Sequence, residues 1–234
     1  MESPLSIEEL VREFDKPDLN DWKLFSQSPG LIVYRRLHHN LFYYKCYSTF
    51  SDLSPEVSYK VALDIEYRLV WDKYLKEGRI ISDGDKHGVY WQVILPLFMN
   101  NRDYTFVQEN GEYDINGRHF YYVLARSEQF SNEPPRKKIV RIETCQTQTL
   151  ICSDGAHGLK SLCLYCEDPC GSFPKALWSW AAKFGIPYYA KLAYNACKMY
   201  PKWIQDKTTI LPNVSEDDID RSTVLPTDDF EEKE

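Results

Sequence analysis

The sequence predicts an α+β fold: one curved antiparallel sheet of nine strands, covered on one face by a long C-terminal helix. Three observations predict it. Runs of aromatic and β-branched residues of strand length alternate with turns that carry Gly, Asn or Asp. Helical apolar spacing appears in the middle of the chain and again near its end. No internal repeat and no second apolar unit divides the first 205 residues, so one domain (1–205) and a distinct tail (206–234) are expected.

Ser6 and Glu9 form a capping box ahead of Leu10, Val11 and Phe14, which opens the chain with a short helix. Strand-like runs follow at 22–25, at 31–36 after the Pro29-Gly30 turn, and at 41–48. Ser54-Pro55 starts a helix with Pro at its first position, and Val61, Ile65, Leu69 and Val70 keep helical spacing toward Leu75. Runs 79–82 and 89–95 flank Asp83-Gly84-Asp85 as a hairpin. Runs 104–108 and 119–126 flank Asn116-Gly117, and runs 139–152 and 159–167 flank Ser153-Asp154-Gly155. The last element starts near Phe173-Pro174 and runs helical to about Lys202, interrupted at Gly185-Ile186-Pro187.

Composition excludes several function classes. Only 10 glycines argues against folds built on Gly-rich phosphate loops, and neither a P-loop nor a dinucleotide fingerprint occurs. The five histidines form no His-Glu-x-x-His pattern, and no Gly-x-Ser-x-Gly elbow exists. Cys163, Cys166 and Cys170 resemble a zinc string, but an odd offset on a strand puts Cys163 and Cys166 on opposite faces. No metal, no cofactor and no catalytic residue is expected. Residues 1–205 carry 25 bases and 25 acids, which gives no basic footprint for nucleic acid. No run of about 18 apolar residues occurs, and the N-terminus lacks a basic-then-apolar signal. The chain therefore reads as cytoplasmic, with its seven cysteines reduced.

The net charge of −7 lies in residues 206–234, where ten acids face three bases. With Pro212, Pro226 and scattered apolar residues, that tail reads as disordered. Just before it, residues 171–205 hold five lysines, nine aromatics and no acid. Lysines interleaved with Trp and Tyr suit the head-group layer of an anionic bilayer, and Lys175, Lys183, Lys191 and Lys198 are the candidate contacts. A core-packing helix with a solvated lysine face reads the same way. The acidic tail, tethered to this segment, is expected to compete with anionic lipid. Ser215, ahead of Glu216-Asp217-Asp218, is a candidate phosphorylation site that would add charge there. Deleting residues 208–234 should then raise transfer to anionic vesicles, and an unchanged rate rejects the idea.

A recognition constellation remains. Arg68 and Asp72 lie four apart on the middle helix, so they share a face and pair. Their surroundings, Tyr67, Leu69, Val70 and Trp71, are bulky and mostly apolar, and a guanidinium fork among aromatics can take a phosphate. Trp91 and Val93 alternate onto one face of a strand, and Tyr104 follows Asn101-Arg102-Asp103 on the next. Such aromatics pack as plain core or, facing a cavity, box a quaternary ammonium. A phosphate site beside an ammonium cage describes phosphocholine.

The order of elements, Tyr67-Arg68-x-x-Trp71-Asp72, Asn101-Arg102-Asp103 and Ser153-Asp154-Gly155 together resemble the steroidogenic-acute-regulatory-related lipid transfer (START) domain over residues 8–205. The resemblance implies a helix-grip fold: a sheet wrapped around the C-terminal helix, with one phospholipid in an internal tunnel. It implies a carrier of phosphatidylcholine rather than an enzyme. By motif position Arg68 would take the phosphate with Asp72 as its partner, and Trp91 and Tyr104 would wall the choline cage. Val93 and Trp178 would line the cavity, and Gly185 and Pro187 would hinge a gate. The family's third aromatic wall falls on Cys145 and a nearby glutamine position on Thr147, so phosphatidylethanolamine becomes a credible second ligand. A lipid-sensing adaptor that reports to a protein partner is the rival reading.

Overall fold

The structure, a computed structural model, describes residues 2–95, 99–170 and 180–206. Helix α1 (Ile7–Asp15) opens the chain behind the expected capping box, in which Ser6 accepts from Glu9 N–H and Glu9 returns the bond. Strands β1 (Lys23–Ser28), β2 (Leu31–His38) and β3 (Leu41–Phe50) form a meander. Gly30, at φ +76°, makes the first turn; a Cβ there would meet the Phe50 ring at 2.4 Å. Helices α2 (Pro55–Leu63) and α3 (Ile65–Trp71) follow. The six strands after them are β4 (Leu75–Asp83), β5 (Lys86–Val93), β6 (Asn101–Ile115), β7 (Arg118–Ser127), β8 (Ile139–Ile142) and β9 (Cys145–Ser153). Strand β10 (Leu159–Glu167) precedes a π-helical turn, Ala181–Gly185, that runs into α4 (Ile186–Gln205).

The ten strands lie in one sheet of order β1-β2-β3-β10-β9-β7-β6-β5-β4, with β8 attached to β6. Helix α1 packs on the outer face, where Leu10 and Val11 meet Phe120, Leu150 and Cys152. Helices α2 and α4 cover the inner face; Leu53, Val61, Tyr67, Ile151, Ala196, Cys197 and Tyr200 form the core there. This is the helix-grip arrangement expected from the sequence.

Three local expectations are corrected. The run 139–152 is two strands, so among the described residues the sheet has ten rather than nine. Strand β7 covers β6 only from Phe106 onward, and β8 takes the remaining edge, Asn101–Tyr104, in parallel register before the chain reverses along β7 as β9. The helical segment after Ser54 is two helices, because Asp64 leaves helical geometry (ψ +95°) and caps α3 by accepting from Tyr67 N–H. At Gly185-Ile186-Pro187 the helix continues. A π turn, in which Ile186 N–H bonds Ala181 C=O, precedes the proline, whose missing N–H it places in the first turn of α4. The start expected near Phe173-Pro174 lies outside the described residues.

Candidate functional site

The candidate side chains converge where α3 and α4 face β5, β6 and β10. Arg68 Nε meets Asp72 Oδ2 at 3.1 Å, with side chains 19% and 4% exposed. Asp72 Oδ1 accepts Tyr74 N–H at 3.1 Å. Arg68 Nη2 donates to the Tyr189 hydroxyl at 2.7 Å, and that hydroxyl donates to Asp72 Oδ2 at 3.3 Å. The guanidinium stacks over Trp91 at 4.1 Å and reaches Trp71 at 5.6 Å. Nη1 has no hydrogen-bond partner among the described residues. The cation therefore points inward, held from three sides with one edge open.

Two indole donors on neighbouring rings are unpaired. Trp71 Nε1 and Trp91 Nε1 are buried without an acceptor among the described residues, as is Trp180 Nε1. A buried donor left unpaired costs about 1–3 kcal/mol. The rings that carry these two N–H groups are the same two that lie beside the Arg68 guanidinium.

Trp91 and Tyr104 are directly opposite across β5 and β6, so they share the inner face. The Trp91 ring packs edge-on against Phe106 at 4.8 Å. Tyr104 donates to Glu167 Oε2 at 3.1 Å, and Tyr165 donates to the same oxygen. Cys145 lies opposite Glu167 and Thr147 opposite Tyr165 across β9 and β10. Burial drives the Tyr104 and Tyr165 phenols far above their ordinary range, with the Glu167 charge adding to it. Burial likewise pushes the Cys145 thiol up. It raises the Glu167 carboxyl too, against the pull of the two tyrosine hydroxyls. Yet Tyr104, Cys145, Thr147, Tyr165, Glu167 and Tyr189 are only half-buried by surface. Their polar groups are desolvated by the surrounding protein while the side chains keep part of their surface accessible.

The structure thus brings Arg68, Asp72, Trp91 and Tyr104 together, with Cys145 and Thr147 on the same face. Val93, half-buried, lies two residues beyond Trp91 on that face. At the proposed gate the Trp180 ring lies against Gly185, where a Cβ would meet Cζ3 at 2.9 Å. Pro187 is half-buried at the start of α4. Lys183 and Lys191 are exposed, whereas Lys198 pairs with Asp52 at 3.1 Å on the protein's own surface. Lys175, Trp178 and Ser215 lie outside the described residues. Tyr189, Tyr165 and Glu167 are site residues that sequence reasoning missed. The aromatic density of the last helix was visible, but which ring meets Arg68 depends on how α4 docks.

Among the described residues no group of three His, Cys, Asp or Glu could hold a metal. Cys163 opposes Cys46 on the inner face while Cys166 opposes Tyr43 on the outer one. A cleft of about 400 Å³ lined by Thr105, Phe130 and Arg141, among others, contains none of the site residues.

The START domain family matches residues 7–202. The phosphatidylcholine transfer protein of Bos taurus is 33% identical over 198 residues, 83% of this chain and 93% of that protein. START domain-containing protein 10 of Mus musculus is 30% identical over 191 residues, 79% of this chain and 64% of that protein. The crystal structure of human STARD10 superposes with a TM-score of 0.71 at 27% identity, covering 87% of this chain and 84% of that one. Human StAR-related lipid transfer protein 5 shares the fold, with a TM-score of 0.63 at 16% identity. With a lipid-transfer family matched over nearly the whole described domain, this chain belongs to the START domain family.

Proposed function

We propose that this protein is a carrier, not an enzyme, that encloses one phosphatidylcholine and moves it between membranes. The observation that carries this reading is Arg68: a cation inside the grip, stacked on Trp91, held by Asp72 and Tyr189, with Nη1 unpartnered among the described residues. A phosphodiester supplies the missing acceptor, and the Trp91–Tyr104 wall suits the quaternary ammonium beyond it. The physical need for enclosure is large. At about 0.8 kcal/mol per methylene and roughly 30 methylenes, exposing both acyl chains costs more than roughly 20 kcal/mol. Cys145 and Thr147 favour a second reading, in which phosphatidylethanolamine is carried as well. Cysteine offers a cation less than an aromatic face does, by up to about 1–2 kcal/mol.

No helix among the described residues is long and apolar enough to cross a membrane, which suits a cytoplasmic protein that touches bilayers transiently. Phe184 and Tyr188, one turn apart, are each 42% exposed. Lys183, whose ammonium lies 5.1 Å from the Phe184 ring, and Lys191 flank them. Apolar rings edged by lysines are a membrane-docking surface. Reversing both charges (Lys183→Glu with Lys191→Glu) should slow transfer to anionic vesicles several-fold at low salt and leave neutral vesicles little affected. An equal effect on both vesicle types contradicts this surface. The experiment that tests the function is fluorescent phospholipid transfer between vesicles. A lipid-sensing adaptor would bind the lipid and transfer little of it.

A further inference from the structure

Glu167 is the one site residue whose charge the carrier reading leaves unused. It sits on the inner face of β10, and Tyr104 and Tyr165 both donate to its Oε2. Its Oε1 accepts no hydrogen bond, and its carboxylate enters no ion pair, among the described residues. The cation that faces it from β6 is Arg102. That guanidinium is committed to backbone oxygens: Asn100 O at 2.5 Å, and Pro169 O and Cys170 O at 3.2 Å each. The other neighbours are Cys145 across β9, Phe42 across β3 and Asp168 next in the chain, none of them a cation, and the Arg35 guanidinium is stacked over the Phe42 ring at 4.2 Å. A carboxylate positioned by two phenols, with one oxygen free and no cation in hydrogen-bond contact among the described residues, is half of an ion pair.

We infer that Glu167 receives the ammonium of the lipid head group, so that the site has two charged ends, Arg68 for the phosphate and Glu167 for the amine. This rests on the phospholipid-carrier reading and, of its two head groups, favours phosphatidylethanolamine over phosphatidylcholine. The two ends are joined along one face: Arg68 stacks on Trp91, Trp91 opposes Tyr104, and Tyr104 bonds Glu167. A primary ammonium has three N–H donors to give to the open Oε1 and to nearby hydroxyls. A trimethylammonium has none and depends on aromatic walls; of the two residues opposite Glu167, Cys145 is not aromatic and Phe42 already carries the Arg35 guanidinium over its ring at 4.2 Å. The site is thereby built for an amine that donates hydrogen bonds, and each N-methyl group works against it. Burial, which holds the free carboxyl's pKa up, is offset once a cation arrives.

The test uses the wild-type full-length chain and donor vesicles containing, in separate runs, phosphatidylethanolamine, its N-methyl and N,N-dimethyl forms, phosphatidylcholine, or phosphatidic acid. Capture is expected to fall stepwise with methylation, at least about tenfold from end to end, and Glu167→Gln should flatten the series. Capture that rises with methylation, or a series unchanged in Glu167→Gln, overturns the inference. So does phosphatidic acid captured as well as phosphatidylethanolamine, a result that leaves the carrier reading standing. Failure of the wild type to capture any of the five lipids would sink the carrier reading and this inference with it.

Discussion

Vesicle transfer by an Arg68→Gln protein is expected to fall at least about 100-fold. Charge-assisted hydrogen bonds contribute about 1.5–3 kcal/mol each, and losing the guanidinium removes the phosphate's fork and its charge together. At about 1.4 kcal/mol per decade, two such bonds account for the factor. The substitution also strands Asp72, whose side chain is 4% exposed. A protein that simply unfolds must therefore be separated from one that no longer binds. Arg68→Gln combined with Asp72→Asn makes that separation. The Asn Oδ1 can still accept Tyr74 N–H, so this double variant should melt near the wild type while remaining inactive. Arg68→Lys should recover part of the transfer, since it restores charge without the planar fork. A double variant that folds and transfers normally contradicts the assignment.

Arg141→Met is expected to give the largest loss of stability, about 3–5 kcal/mol, because it leaves Asp103 as an uncompensated buried charge. Arg141 grips Asp103 with two bonds, Nε to Oδ1 at 2.8 Å and Nη2 to Oδ2 at 3.0 Å. The side chains are 9% and 0% exposed. A third bond, Nη1 to Glu133 C=O at 2.9 Å, ties in the segment ahead of β8, and Tyr90 donates to Asp103 at 3.3 Å. The pair pins the parallel β8 edge to β6, so thermal melting should drop on the order of 10 °C for a domain of this size. Arg141→Met with Asp103→Leu should recover much of it, since a buried pair replaced by apolar groups is often neutral. A single Arg141→Met variant with unchanged melting contradicts this account.

How much was legible in the sequence follows from the range of the forces involved. The Ser6–Glu9 capping box, the Pro55 helix start and the Asn116-Gly117 hairpin are set within a few residues, and each appears where expected. Arg68 and Asp72 were readable because four residues on a helix fix a shared face. Trp91 and Tyr104 were readable as aromatics on successive strands, although their direct opposition is a matter of register. The break between β8 and β9 was not legible, because it is imposed by where β7 stops covering β6. Nor was the role of Asn101-Arg102-Asp103. Asp103 turns outward to Arg141, and Arg102 turns inward to hold the carbonyls of Pro169 and Cys170, sixty-odd residues away. Glu167 looked like the polar end of a strand. Only the pairing of β10 with β9, and the reach of Tyr104 across the sheet, place it inside.

Native mass spectrometry of the purified full-length chain tests the central claim most directly. The account predicts a wild-type protein carrying one diacyl glycerophospholipid with a nitrogen-bearing head group, and no bound lipid on the Arg68→Gln, Asp72→Asn double variant. A sterol, more than one lipid per chain, or the same phospholipid retained by that variant would contradict it.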